Sequence, residues 1–152
     1  AYIMYYAGLR INECLKLTLE DVDFDKNCIA VNKDKMQYNR IIPINYKLKE
    51  ILIEYLEYWR TDKGTDKFFS TKTGKLSDCY VNRCMKEAAQ AVGLNKTVTC
   101  HILRHSFASN LVLKGIDIYR VKELLGHTNL KSTSIYLHAN LEELREAVEL
   151  IN

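Results

Sequence analysis

The chain has 152 residues, which is enough for a single domain with a full hydrophobic core. Apolar residues make up 47% and charged residues 27%, the balance of an ordinary soluble globular protein, and no apolar run approaches a membrane span, so we expect no membrane attachment. The net charge of +3 is too small to establish nucleic-acid binding by itself.

The first half of the chain predicts helices and a small sheet. Residues 1–17 are expected to form a helix that is broken near Gly8. Segments 28–32 and 40–44 are rich in β-branched residues around a polar loop, which predicts a hairpin. Segment 67–69 is the candidate for a third strand. Between the hairpin and this segment, we expect a helix whose apolar residues recur at helical spacing and should be buried: Leu48, Ile51, Leu52, Tyr55, Leu56 and Trp59.

The second half predicts a series of helices with recognisable ends. Ser77 or Asp78 can cap a helix that ends at Gly93, and another runs over 101–114. Asp117 caps a short helix that ends at Leu125-Gly126, and segments 132–138 and 141–151 are also expected to be helical. The predicted fold class is therefore α+β, mostly α-helical with a small antiparallel three-stranded sheet.

The cysteines indicate the redox compartment of the protein, and the charge pattern bears on its binding partner. The five cysteines are odd in number and contain no C-x-x-C pair, so reduced thiols in a cytosolic protein are expected rather than disulfides or a zinc site. Basic residues are concentrated in two stretches, at 33–49 and 63–75, and glutamates in the last helix. This pattern is compatible with contacts to a DNA phosphate backbone, and equally with solvated surface lysines.

Two arginines can support phosphodiester chemistry without a metal. Cleavage of a phosphodiester places extra negative charge on the non-bridging oxygens, which metal ions or fixed cations must stabilise. The chain offers no clear carboxylate cluster for two magnesium ions, whereas Arg10 and Arg104 carry permanently charged guanidiniums that bind phosphate in a fork. The alternative for Arg10 is a surface salt bridge to Glu13, three residues on.

Histidines accompany the second arginine. His101 and Arg104 are three residues apart and so lie on one helical face. His101 and His105 are four apart, which also fits a helical metal pair, but the motif lacks a glutamate and Arg104 would repel a cation. His105 is expected to be a buried, hydrogen-bonded helix residue.

Tyr136 is distinguished by its position rather than by its type, since the chain has ten tyrosines. A phenol with a pKa near 10 is a poor nucleophile at neutral pH, so it needs neighbouring cations or a base. Tyr136 follows His127 by nine residues, within a polar segment that looks exposed.

Four motifs in this order resemble those of the tyrosine recombinases, the phage integrase and Xer group. They are G-L-R-I-N-E at 8–13, H-I-L-R-H at 101–105, L-L-G-H at 124–127 and S-T-S-I-Y-L-H at 132–138. The resemblance spans almost the whole chain. It implies that residues 1–152 form the C-terminal catalytic domain, with the family's N-terminal DNA-clamping domain missing from this sequence.

The resemblance also implies a role for each residue. Arg10 and Arg104 would bind the scissile phosphate, His127 would hydrogen-bond it and His101 would assist proton transfer. Tyr136 would form a 3′-phosphotyrosine bond and release a 5′-hydroxyl.

The family's remaining catalyst is a hairpin lysine that protonates the leaving oxygen. Lys35 fits best because Lys35, Arg40 and Pro43 keep the family's K…R…P spacing. Lys33 is the alternative for the general acid, and Lys33 and Arg40 are expected to contact DNA.

The implied activity is site-specific recombination or integration of double-stranded DNA in the cytoplasm, at the nucleoid. No metal, ATP or other cofactor is implied, because the phosphotyrosine stores the bond energy. Four protomers on two duplexes are implied, with the helix at 141–151 docking on a neighbour. The rival interpretations are a type IB topoisomerase, which relaxes DNA, and a DNA-binding regulator that does not cleave.

Overall fold

The computed structural model describes residues 1–31, 40–61, 64–71 and 76–126, and these contain six α-helices and one three-stranded antiparallel sheet. The predicted fold class is confirmed. The segments expected to be helical at 132–138 and 141–151 lie outside the described residues.

Two short helices, α1 (Tyr2–Ala7) and α2 (Ile11–Lys16), open the chain. Gly8 ends α1 in the left-handed conformation with φ of +64°, which glycine adopts at little cost. The predicted break in the first helix is therefore confirmed. It places Arg10 in extended backbone immediately before α2.

The sheet consists of β1 (Val22–Asp23), β2 (Cys28–Val31) and β3 (Arg40–Pro43), in that order. Strands β2 and β3 form the predicted antiparallel hairpin, with Ile29 opposite Ile42. Both of these side chains are buried, so one face of the sheet covers the core. The polar loop expected between these two strands lies outside the described residues.

The prediction that 67–69 is the third strand is wrong, because β1 takes that place. Lys67 makes a single antiparallel bridge to Thr18. The ring centroids of Phe68 and Phe69 lie 5.9 and 5.3 Å from that of Tyr55. Two consecutive side chains on one partner are incompatible with the alternating faces of a strand.

Helix α3 (Tyr46–Glu54) continues into a π-helical turn at Tyr55–Trp59. Leu48 and Leu52 are buried as predicted, but the expectation for Trp59 is wrong because its side chain is 69% exposed. A π-helical turn contains more residues than an α-helical turn, so the α-helical spacing no longer keeps residue 59 on the buried face.

Three capped helices complete the described fold: α4 (Asp78–Ala91), α5 (Cys100–Leu113) and α6 (Ile118–Leu125). The side chains of Ser77, Thr99 and Asp117 each accept a hydrogen bond from a backbone N–H of the first turn. The predicted helices are confirmed here, with bounds that differ by at most two residues.

Helix α1 packs along α5, and the site described below forms near the end of this contact. A smaller cluster of Phe107, Ala108, Val121 and Leu125 joins α5 to α6. It meets the larger core cluster, which includes Met4, Ala7 and Leu9, close to Gly8, since a Cβ atom there would overlap the Phe107 ring. The core thus brings the ends of α1 and α6 against the same part of α5.

No helix in the described part of the chain is both long enough and apolar enough to cross a bilayer. All five cysteines are free thiols.

Candidate active site

The carboxylate of Glu13, on α2, contacts three guanidiniums. Arg40 donates two hydrogen bonds to it, one to each oxygen, both at 2.9 Å. Arg10 Nη1 donates to Oε1 at 3.0 Å, and Arg104 Nη1 lies 3.7 Å from Oε2. The two arginines predicted to bind phosphate therefore converge on one point, although 94 residues separate them in the sequence.

Arg10 occupies the N-cap position of α2. Its backbone N–H donates to Glu13 Oε2 at 2.7 Å, which fixes the start of the helix. The salt bridge to Glu13, the alternative considered from the sequence, is present, yet the Arg10 side chain is 39% exposed. Because a guanidinium has five N–H donors, this contact leaves capacity for a phosphate.

Arg104, on α5, has a side chain only 6% exposed. Its Nη1 donates to the Gly8 carbonyl, and its Nη2 donates to the Leu125 carbonyl at 2.7 Å. A buried cation needs such partners, since its hydration is lost. Arg104 thereby joins α5 to the ends of α1 and α6.

His101 lies one helical turn before Arg104 and is exposed. The rings of His101 and His105 are 6.1 Å apart between centroids, and His105 is partly buried. Among the residues that the structure describes, no three histidine, cysteine, aspartate or glutamate side chains are grouped to hold a metal ion. The helical metal pair considered from the sequence has no third ligand of these types within that part.

Arg40, at the start of β3, was expected to contact DNA. Its side chain is 13% exposed, and its Nε donates to the Leu124 carbonyl at 2.9 Å in addition to the two bonds to Glu13. All three guanidinium nitrogens are thus engaged within the protein. The DNA contact stays a prediction.

The environment of Glu13 keeps it charged. Burial alone would raise the pKa of this carboxyl, but the hydrogen bonds from the Arg40 side chain and the Arg10 backbone, with the charges of both arginines, lower the pKa to about 2. At neutral pH the cluster therefore contains one negative charge and three positive charges. The positive excess suits it to bind a phosphate.

Glu13 is the member of the site whose importance the sequence did not reveal. It was considered only as a salt-bridge partner of Arg10, and its position three residues after an N-cap is the feature that could have identified it. The backbone carbonyls of Gly8, Leu124 and Leu125 also could not be identified, because every residue has a carbonyl and the sequence does not show which of them accept hydrogen bonds from side chains.

Four predicted site residues lie outside the described residues: Lys33, Lys35, His127 and Tyr136. Their expected roles stay predictions. In the sequence, Gly126 immediately precedes His127, and Lys33 and Lys35 fall between the described residues Val31 and Arg40.

Comparison with known proteins agrees with these observations. The profile of the phage integrase family matches residues 1–143. Tyrosine recombinase XerA of Pyrococcus horikoshii is 40% identical over 152 residues, which cover 97% of this chain and 52% of that protein. The chain thus spans about half the length of the curated relatives it matches.

Solved structures show the same fold. The crystal structure of XerA recombinase superimposes with a TM-score of 0.84 at 29% identity, covering 99% of this chain and 56% of that chain. The XerH site-specific recombinase bound to its difH substrate gives a TM-score of 0.77 at 28% identity, covering 99% and 45%. By its sequence and its fold, the chain belongs to the phage integrase family and is a tyrosine recombinase domain.

Proposed function

We propose that this domain cuts and rejoins double-stranded DNA at specific sites through a 3′-phosphotyrosine intermediate, without a metal ion or ATP. The observation that carries the proposal is the convergence of Arg10 and Arg104 on Glu13. Two fixed guanidiniums supply the positive charge that a pentacoordinate phosphorane-like transition state requires. The relative XerH, whose structure contains its DNA substrate, supports DNA as the partner.

The proposed reaction uses the residues expected from the family resemblance. The Tyr136 oxygen attacks the scissile phosphorus, and His101 assists removal of the phenol proton. The bond from phosphorus to the 5′ oxygen breaks, and Lys35, or Lys33 in its place, protonates that oxygen. Arg10 and Arg104 hold the non-bridging oxygens, and His127 hydrogen-bonds the same phosphate.

Rejoining reverses these steps with a 5′-hydroxyl from a partner strand. The phosphotyrosine bond keeps the energy of the original phosphodiester, so no cofactor is consumed. We propose that four protomers assemble on two duplexes and that the segment 141–151 docks on a neighbouring protomer. In the cell the protein would act in the cytoplasm, on nucleoid DNA.

A covalent trap tests this proposal. The chain, expressed with any flanking sequence that its gene encodes, is incubated with DNA fragments from its source organism. Protein-linked DNA is recovered under denaturing conditions and sequenced to identify the site. A duplex of that site, nicked beside the cleavage position so that the released strand diffuses away, should then accumulate the adduct.

The nucleophile is assigned by a matched pair of variants. Tyr136→Phe should abolish the adduct and leave DNA binding nearly intact, because only the attacking oxygen is removed. Tyr119→Phe makes the same chemical change at a tyrosine that is 60% exposed on α6, and should leave the adduct unchanged. Adduct formation by Tyr136→Phe would show that another group attacks.

A further inference from the structure

We propose that Arg40 is a positioning residue of this site: it occupies the carboxylate of Glu13 so that Arg10 and Arg104 keep their guanidiniums available for phosphate. The inference rests on the proposed function. It gives Arg40 a role different from the DNA contact expected from the sequence.

The contact geometry shows which arginine Glu13 binds most fully. Arg40 makes a bidentate pair, with one hydrogen bond of 2.9 Å to each carboxylate oxygen. Arg10 gives a single side-chain bond of 3.0 Å, and the nearest nitrogen of Arg104 lies 3.7 Å away. Bidentate pairing is the strongest arrangement between these groups, so Arg40 is the principal counter-ion of Glu13.

A second set of contacts fixes the orientation of Arg40. Its Nε donates to the Leu124 carbonyl at 2.9 Å, at the end of α6. Gly126 leaves room for the guanidinium, since a Cβ atom there would lie 2.7 Å from Arg40 Nη1. Gly126 also has φ of +62°, so both its backbone and its lack of a side chain fit this contact. Arg40 therefore links β3 to α2 and to the end of α6.

Without Arg40, the Glu13 carboxylate would pair more strongly with another cation. The side chain of Glu13 is only 11% exposed, and a buried carboxylate that loses its partner must find another. The remaining cations within 4 Å in the described structure are Arg10 and Arg104. A stronger pairing with either would withdraw a guanidinium from the phosphate, and the loss of the Arg40 charge would itself reduce the positive excess of the cluster.

The test measures single-turnover cleavage of the nicked duplex described above, at saturating protein. Arg40→Gln, which removes the charge, should slow cleavage by about ten- to a hundredfold, the size of effect expected when reacting groups are misplaced. Arg40→Lys keeps the charge but not the fork, so its rate should lie between those of Arg40→Gln and the unchanged protein. Arg120→Gln, at an exposed arginine of α6, is the matched control and should cleave normally.

The decisive variant combines Arg40→Gln with Glu13→Gln. Without the carboxylate, Glu13 can no longer draw Arg10 or Arg104 away from the phosphate, so the double variant should cleave at least several-fold faster than Arg40→Gln alone. A purely structural role would make the second substitution neutral or harmful. If Arg40→Gln does not fold, Arg40→Lys with and without Glu13→Gln provides the same comparison.

A measurement without DNA separates this inference from the proposed function. The Nε–H resonances of Arg10 and Arg104, observed by NMR, should shift in Arg40→Gln, move back in the double variant and stay in place in Arg120→Gln. Absence of an adduct with the unchanged protein would contradict the proposed function. Normal cleavage by Arg40→Gln, or unshifted arginine resonances, would overturn the role of Arg40 alone.

Discussion

Gly8 provides both space and a hydrogen-bond acceptor at the centre of the site. Its carbonyl accepts a hydrogen bond from Arg104, and its φ is +64°. A Cβ atom at this position would overlap the ring of Phe107. The glycine therefore allows α1 to approach α5 closely enough for the buried arginine to reach the α1 carbonyl.

We predict that Gly8→Ala destabilises the domain strongly. The left-handed backbone costs roughly 1–2 kcal/mol for a residue with a side chain, and overpacking against Phe107 adds typically about 1–3 kcal/mol. Gly115→Ala is the control, because Gly115 has φ of +74° but a Cβ atom there would meet no described neighbour within 4 Å, so only the backbone cost applies. Urea unfolding of both variants measures the difference, and equal losses would contradict the packing argument.

Glu13 makes the stability of the domain depend on pH. Its pKa is lowered from 4.5 to about 2 in the folded protein, so the carboxylate stabilises the fold at pH values above 4.5. This contribution is lost as the pH falls through the folded-state value.

We predict that the unchanged protein loses stability relative to Glu13→Gln as the pH falls from 5 to 2, so that the difference between their unfolding free energies becomes smaller. The change is on the order of 3 kcal/mol, since one pKa unit corresponds to about 1.4 kcal/mol. Urea titrations across this range measure it. A difference that stays constant with pH would mean that Glu13 is not held charged by its arginines.

The sequence identified Arg10, His101 and Arg104 as candidates, but not how they are held. Arg10 and Glu13 are near each other in the chain, so their pairing was predictable. The contacts of Arg40 with Glu13 and of Arg104 with Gly8 span 27 and 96 residues. Such contacts depend on the packing of α1, β3 and α5, which local spacing does not reveal.

Among the elements, α5 has the most direct effect on the site. It carries His101 and Arg104, and Thr99 caps it by accepting a hydrogen bond from the Ile102 N–H at 3.2 Å. The cap lies within two residues of His101. The start of this helix therefore determines where the imidazole is placed.

We predict that Thr99→Ala lowers the unfolding free energy by about 1 kcal/mol, the usual effect of removing an N-cap. Thr99→Ser keeps a hydroxyl in the same place and should retain most of the stability. Thermal unfolding monitored by circular dichroism tests both variants. If Thr99→Ser is destabilised as much as Thr99→Ala, the hydroxyl is not the stabilising group.

Element predictions succeeded where local chemistry determines the outcome. The breaks at Gly8 and Gly126 and the caps at Ser77 and Asp117 follow from residue type alone. The third strand was misplaced because Phe68 and Phe69 pack together on Tyr55. The exposure of Trp59 follows from a π-helical turn, a change of helical register that the apolar spacing did not indicate.

At the scale of the whole molecule, the fold brings one glutamate and three arginines from distant parts of the chain to one location. The ends of α1 and α6, the starts of α2 and β3 and the first turns of α5 all contribute to the Glu13 cluster. Three cations around one largely buried carboxylate leave a positive excess, and backbone carbonyls accept hydrogen bonds from two of the three, Arg40 and Arg104. In the proposed mechanism, this preorganisation would allow Arg10 and Arg104 to take the place of a metal ion.

The most direct measurement of that central claim is single-turnover cleavage of the nicked site duplex in excess EDTA. Because the proposed mechanism assigns this charge to Arg10 and Arg104, we predict the same rate constant for adduct formation with EDTA as without it. Arg104→Lys should slow the reaction under both conditions, since a lysine cannot reproduce the fork of contacts. A strict requirement for Mg²⁺ or Zn²⁺ would contradict the account and return attention to His101 and His105 as metal ligands.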